Sequence, residues 1–507
     1  VGPGRRHGIQ NLAKRRRIAV AGLKTPNSAP PFLALEVAVH MNIIEYTVLF
    51  TGMLVFANAP VFAQSGGGSN TPVPSARYRT LWSDPALQQT IAQNIEKHRK
   101  SDAVIVLVNA EGKPLADARI TVEQVTHDFL FGSNLFVLGQ LPTPEANKKY
   151  EAAFVKLFNF ASIPFYWRGI EPEQGTLRYE EGAAPDIWRR PPPDRLVEWC
   201  RKNNITPKGH PLLWHEHNPA WLPHDAGELK RLYIKRFTEI AGRHGKSIPI
   251  WDCVNEPTIC IKEFPLYSED AAYVAWAFNT ARPMFPPETK LIINETPHIC
   301  YEYAGADGRD TRYYKTVKRL IGQGVRVDGI GFQLHIMSDS GTTDTLTGKL
   351  FAPTDLLKVH ALYEEFGLPQ YVTEITVPTR GADTALARET QAEVVRNFYR
   401  LWFSLPQMAG ITWWNLGDGT AIDHEDQWKG GLLDKNLDPK PSYLALDQLI
   451  NHEWKTRIAG ATDSNGRFSF RGFNGTYRVA VVSGSEHEEF TLHIKPEVKE
   501  HKRIVGK

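Results

Sequence analysis

Ile248-Pro-Ile-Trp-Asp-Cys-Val-Asn-Glu-Pro257 is a short apolar run that ends on a carboxylate, with an amide before it and a proline behind it. A run of this length fits a strand buried on both faces of a parallel sheet. Glu256 then stands where the strand stops, which in an α/β barrel is the rim that carries the chemistry. A glutamate before a proline can equally cap the next helix. Its meaning depends on whether a second carboxylate ends another strand.

Leu368-Pro-Gln-Tyr-Val-Thr-Glu374 repeats the pattern. Strand-like runs recur near 129–134, 159–167, 206–214, 248–254, 290–294, 327–334, 370–375 and 409–416. Helix-like stretches separate them, at 144–158, 194–204, 226–243, 269–283, 309–323, 354–366 and 385–404, with an eighth after Pro441. In the last full helix Val394, Val395, Phe398, Leu401 and Trp402 fall on one stripe. Eight strand–helix pairs predict an α/β fold of the (β/α)8 TIM-barrel type. An open doubly wound sheet would more often carry a glycine-rich phosphate turn after its first strand, and none is present. Glu256 ends the fourth strand and Glu374 the seventh.

Outside the barrel, 128–452, the chain changes character. Residues 64–82 include Ser65-Gly-Gly-Gly-Ser-Asn-Thr-Pro-Val-Pro74 and are expected to be a linker. A polar helix opening at Ser83-Asp84-Pro85 and two strand-like runs, 104–108 and 118–125, make 83–127 a small lead-in. Residues 453–507 alternate as strands around 467–473, 477–482 and 489–494, a small β module. There Asp463-Ser-Asn-Gly466 is a turn; it lacks the rest of a calcium loop.

Net charge is +3, but the seven bases and two acids of residues 1–63 contribute +5 of it and leave the remainder at −2. Nothing in that balance favours nucleic acid. Met41 begins a segment whose uncharged run, Tyr46 to Ala63, closes on Val61-Phe62-Ala63. This has the form of a signal peptide, so translation is expected to start at Met41 and the product to be secreted or periplasmic. A membrane anchor is the rival, disfavoured by Asn58 and Pro60 inside the run. Cys200, Cys253, Cys260 and Cys300 match no zinc spacing, and their pairing stays open. Cys253 is expected to be a buried free thiol in the barrel wall.

Two carboxylates on one rim are what cleavage of a glycosidic bond requires: one protonates the leaving oxygen and the other attacks the anomeric carbon. A like charge nearby raises the pKa of the acid partner. The alternative, glutamates that only bridge neighbouring loops, is weakened by the other strand ends. Lys208-Gly-His-Pro-Leu-Leu-Trp-His215 brings His210, Trp214 and His215, Gly329-Ile-Gly-Phe-Gln-Leu-His335 brings Gln333 and His335, and Ile411-Thr-Trp-Trp-Asn415 brings two tryptophans. A lone strand histidine is ordinarily a core residue. Polar and aromatic side chains at five strand ends of one barrel fit a sugar subsite, with hydroxyl partners and a stacking face.

KGHPLLWH (208–215), WDCVNEP (251–257), GIGFQLHI (329–336), YVTEIT (371–376) and GITWWNLGD (410–418) resemble the rim signatures of family 10 glycoside hydrolases, the retaining β-1,4-xylanase family. Gly431 to Tyr443 resembles that family's last barrel segment, and the likeness runs from about Phe129 to Leu449. The resemblance implies Glu256 as acid/base, Glu374 as nucleophile and Asn255 as the amide on the sugar 2-hydroxyl. It also implies that His335 hydrogen-bonds the nucleophile with Gln333 beside it. His210 and Trp214 would line the non-reducing side, and Trp414 and Trp428 would roof it. Neither metal nor organic cofactor is implied. The expected partner is a polysaccharide or oligosaccharide substrate, with no membrane contact after signal cleavage and a monomeric enzyme.

Two departures stand out. After the second strand the family usually carries a Glu-Asn pair and a Lys before a Trp; here Ser162-Ile-Pro-Phe-Tyr-Trp167 lacks the pair and has Tyr166 in place of the lysine. An aspartate two residues after the nucleophile, which would orient the histidine, is Thr376. The expected activity is therefore hydrolysis of internal β-1,4 bonds in xylan or a related plant polysaccharide. The alternatives are the same chemistry on another β-glycan, or a non-catalytic carbohydrate-binding barrel.

Overall fold

Each of the eight apolar runs becomes a strand, and together they close into a parallel barrel. The computed structural model describes residues 73–296, 308–379 and 384–506. The leader, the start of the linker and Cys300 lie outside the described residues. In chain order the strands are β1 (Lys100–Val108), β2 (Arg119–His127), β3 (Leu130–Asn134), β4 (Phe160–Pro164), β5 (Thr206–His210), β6 (Ile250–Asn255), β7 (Lys290–Glu295) and β8 (Ile330–His335). They continue as β9 (Gln370–Thr376), β10 (Met408–Trp413), β11 (Arg457–Ala461), β12 (Arg467–Phe473), β13 (Gly475–Ser483), β14 (Glu486–Ile494) and β15 (Glu500–Ile504). The barrel is β3 to β10, closed by pairing of β10 with β3.

Helices cover its outside because each has an apolar stripe. In Ala385–Ser404, Val394, Val395, Phe398, Leu401 and Trp402 are all buried, as the sequence spacing requires. Inside, Phe160, Ile250, Ile292 and Tyr371 form a separate apolar cluster from four strands and plug the end where the strands begin. Side chains alternate along a strand, so the same face returns two residues on. There the layer turns polar, with buried Ser162, Asp252, Asn294 and Thr373. The barrel is thus apolar where strands start and polar where they end.

Two irregularities lie next to the carboxylates. Asp252 pairs with Ile292 but Val254 with Ile293, so Cys253 is an extra residue in β6. Phe332 pairs with Val372 but Gln333 with Glu374, so Thr373 is extra in β9. Such bulges re-aim the side chains that follow them. Cys253 is indeed a buried free thiol, as is Cys200, and Cys260 is free and partly exposed.

The lead-in and the tail are not separate additions, contrary to the sequence reading. β1 pairs with β12 and β15 in one sheet, and β2 pairs with β11 and β13 in another, with β14 at its edge. Ile105, Leu107, Ile120, Val122, Phe470, Tyr477, Val479 and Ile494 share the core between the sheets. Neither half has enough strands to bury its apolar face alone, which is why two short runs far apart in sequence combine. β11 and β15 escape the sequence reading because β11 is exposed along its length and β15 is mostly charged.

The linker also ends earlier than expected. Residues Ala76–Trp82 form a helix capped by Ser75, whose hydroxyl accepts from the Tyr78 N–H at 3.1 Å. Trp82 packs on Phe398, ring centroids 5.7 Å apart, and Asn397 donates to the Tyr78 hydroxyl. Two buried aromatic side chains turn the end of a low-complexity stretch into a docked helix. Among the described residues no helix is long and apolar enough to cross a membrane.

Deleting residues 453–507 would strip partners from both β1 and β2 and expose their apolar face. The expected result is aggregation or a melting temperature lower by on the order of ten degrees. A soluble truncated protein melting with the parent in scanning calorimetry would contradict the shared module.

Candidate active site

Glu256 leaves the end of β6 in the left-handed backbone region, at φ 53°. A non-glycine residue there costs about 1–3 kcal/mol, a cost that persists only when the surroundings enforce it. The enforcing contacts are backbone and side chain together. Its N–H donates to the Asn294 carbonyl at 2.8 Å. The carboxyl accepts from Gln333 Nε2 at 2.8 Å and from Trp214 Nε1 at 3.1 Å. Burial first, and then the charge of Glu374, raise this carboxyl well above the usual carboxylate range, and the Gln333 bond opposes them only in part. It is a carboxyl kept as an acid.

Glu374, buried in β9, is surrounded by donors. Asn294 Nδ2 donates to Oε1 at 2.9 Å, and His335 Nε2 lies 3.2 Å from Oε2. The other ring nitrogen of His335, Nδ1, is 3.0 Å from the Thr376 hydroxyl. A hydroxyl that donates to Nδ1 leaves the proton on Nε2, facing the carboxylate. Thr376 therefore orients the histidine in place of the missing aspartate, without adding a negative charge.

Behind these groups the polar interior layer forms a second set of bonds. Asn294 Nδ2 also donates to Asn255 Oδ1 at 2.8 Å, and the Thr373 hydroxyl donates to Asn294 Oδ1. On β5 and β6, Lys208 Nζ and His210 Nδ1 both reach Asp252 Oδ2, at 2.6 and 2.7 Å. Burial opposes ionisation of Asp252, but Lys208 and His210 together hold its carboxyl below the usual range. His210 Nε2 in turn lies 3.9 Å from Glu374 Oε1.

Aromatic rings wall one side. Phe136 meets Tyr166 and Trp414 edge-on at 5.6 and 5.2 Å, and Trp414 contacts the rings of His210 and His335 at 5.6 and 5.9 Å. Trp214 lies 5.5 Å from Tyr166. The structure thus brings together Glu256, Glu374, Asn255, Gln333, His335, His210, Trp214 and Trp414. The Trp428 carbonyl accepts from the Thr379 N–H at 3.2 Å, which ties its loop to the segment after β9. The loop from β10 to Trp428 puts a short helix, Asp423–Asp426, between the two tryptophans, and its Glu425 accepts from Trp414 Nε1 at 3.3 Å.

Asn294, Asp252 and Phe136 were missed in the sequence. Asn294 was discoverable, because Leu291-Ile-Ile-Asn-Glu295 is another apolar run ending in polar residues. Its neighbour Glu295 is fully buried, and burial pushes its carboxyl up to about 7. It accepts from the N–H groups of Thr258 and Thr296 at 2.9 and 2.8 Å, and so fixes the chain just after Glu256. Among the described residues no group of three or more His, Cys, Asp or Glu could hold a metal ion.

The sequence model described as Glycosyl hydrolase family 10 matches residues 166–449. That match starts later than the resemblance at Phe129 and leaves out the first two barrel strands. Endo-1,4-beta-xylanase B of Thermotoga neapolitana is 26% identical over 346 residues, 65% of this chain and 89% of that protein. Anti-sigma-I factor RsgI6 of Acetivibrio thermocellus is 29% identical over 441 residues, 84% of this chain. The chain spans half the length of RsgI6 (50%). Native xylanase 10B from Thermotoga maritima shares the fold with a TM-score of 0.50, at 23% identity, over 64% of this chain and 96% of that one.

Replacing Glu374 with Gln removes the like charge that helps keep Glu256 protonated. The Glu256 carboxyl should then titrate at lower pH than in the parent, as read by NMR of carbon-labelled glutamate side chains. An unchanged or higher titration would contradict the coupling.

Proposed function

The chain belongs to glycosyl hydrolase family 10, and on that premise we propose that it is a glycosidase cleaving internal β-1,4 bonds of xylan or a related plant polysaccharide, with retention at the anomeric carbon. One observation carries the mechanism: two carboxyls share the rim, and burial with like-charge repulsion keeps Glu256 protonated beside Glu374. Glu256 gives its proton to the glycosidic oxygen as Glu374 attacks the anomeric carbon. The bond to the leaving sugar breaks and a glycosyl ester forms on Glu374. With that carboxylate neutralised, Glu256, now ionised, takes a proton from water as the water's oxygen attacks the anomeric carbon. The ester bond breaks, the sugar leaves with its original anomeric configuration, and both carboxyls return to their starting states.

The neighbours are given roles by position. Asn294 and His335 hold the two oxygens of Glu374 and so fix its line of attack. Gln333 and Trp214 hold Glu256. Asn255 is assigned to the sugar 2-hydroxyl, and His210, Trp214 and Trp414 to the wall of the subsite that receives the attacked sugar. The altered second-strand segment, with Tyr166 buried in the wall, favours a second reading in which the chemistry is the same but the preferred β-glycan differs.

The test uses reducing-sugar release from xylan, mixed-linkage glucan, mannan and cellulose, with proton NMR of the first product. Xylan should be preferred, the β anomer should appear first, and Glu374→Ala should lose at least roughly 10³-fold in turnover. No preference for xylan would move the specificity to the second reading. An α anomer first, or equal turnover by Glu374→Ala, would overturn the mechanism.

A further inference from the structure

Several cations in the interior of this protein are paired with carboxylates, while buried Arg178 and Arg236 donate to backbone carbonyls instead. Lys208 meets Asp252 at 2.6 Å, Lys440 meets Asp418 at 2.6 Å, and Arg189 lies 4.0 Å from Glu425. This is the usual condition for holding charge away from water. Two more arginines stand at the second-strand wall of the cleft, Arg190 half-buried and Arg168 exposed. The Arg190 guanidinium stacks over the Tyr166 ring at 3.9 Å from its centroid, and one of its N–H groups donates to the Arg189 carbonyl at 2.7 Å. Arg168 is exposed, and its backbone N–H donates to the His217 carbonyl at 2.9 Å. Among the described residues neither side chain has a carboxylate partner.

Arg190 covers the ring that stands where the family has a lysine. Tyr166 stacks on His217 at 4.9 Å and contacts His210 at 5.4 Å and Trp214 at 5.5 Å. It therefore links Arg190 directly to the residues that line the attacked sugar's subsite, and Arg168 is tied to the same wall through the His217 carbonyl. The nearby carboxylate of Glu425 is engaged elsewhere, accepting from Trp414 and Asn415. Burial, and then the positive charges of Arg190 and Arg168, push His217 down to about 3, so the wall's histidine stays neutral. Trp188, on the loop that carries Arg189 and Arg190, is 48% exposed and offers a ring for a sugar to stack on.

We propose that this wall recognises a carboxylate on the glycan, so that the substrate carries a uronic acid on the non-reducing side of the cleavage point and Arg190 and Arg168 bind it. The proposal rests on the glycosidase reading and narrows its substrate class. A guanidinium meets a carboxylate through two parallel N–H donors, and partial burial against Tyr166 makes that contact stronger than in open water. Where the family carries a Glu-Asn pair and a lysine, this chain places two arginines that have no carboxylate partner among the described residues.

The experiment compares two matched xylo-oligosaccharides, one bearing a glucuronic acid branch and one in which that carboxyl is reduced to an alcohol. The parent enzyme should favour the acidic one in kcat/KM by on the order of ten-fold. Added salt should weaken the preference. Arg190→Gln and, separately, the exposed Arg168→Gln should each bring the acidic-to-neutral ratio several-fold closer to one. Equal kcat/KM on the two substrates in the parent, or a ratio that survives both substitutions, would overturn the proposal. Calorimetric binding of both oligosaccharides to Glu374→Ala reads the same preference without turnover. No turnover by the parent with the binding preference intact would sink the glycosidase reading alone, whereas equal binding would sink this one.

Discussion

Two carboxyls placed close together in a partly dry cleft cannot both ionise cheaply, and the rim of this barrel is arranged around that constraint. Burial raises the pKa of Glu256, and the charge of Glu374 adds to it. What separates them is the company each keeps. Glu256 receives two neutral donors, from Gln333 and Trp214, and feels the charge opposite. Glu374 sits between Asn294 and His335, both aimed at its oxygens. Similar side chains at equivalent places on two strands thereby acquire different chemistry from their surroundings.

Holding that asymmetry takes the whole upper half of the barrel. Asn294 is the tie, since one amide bonds Asn255, Glu374 and Thr373 and its carbonyl holds the backbone of Glu256. The bulges at Cys253 and Thr373 turn the strand ends just before the carboxylates. Glu256 is then locked in a backbone conformation that its own side chain disfavours, with Glu295 bonded to the turn behind it. Below, the apolar plug of Phe160, Ile250, Ile292 and Tyr371 keeps the polar layer at the end where strands stop. A small error in any of these would move a carboxyl relative to the sugar, and positioning is a large share of such catalysis.

Much of this was legible in the sequence because its signals are local. Apolar runs ending in Glu256 and Glu374 name both the barrel and its reacting groups, and the strand ends at His210, Gln333 and Trp414 add the wall. What stayed hidden depends on contacts between distant segments. β1 and β2 reveal nothing of their pairing with β12 and β13, since hydrogen bonds between strands leave no spacing to read. Thr376 looked like a loss until His335 was seen beside it. Arg190 lies in a proline- and arginine-rich loop with no periodic signal, and only the fold brings it over Tyr166.

The central claim is that Glu374 becomes covalently bound to the sugar. A 2-deoxy-2-fluoro xylobioside with a good leaving group tests it most directly, because fluorine at C2 slows breakdown of the glycosyl-enzyme through its oxocarbenium-like transition state. Mass spectrometry of the digested, labelled protein should find the added disaccharide on the peptide containing Glu374 and nowhere else. An adduct on another carboxylate, or steady turnover with no adduct at all, would contradict the account.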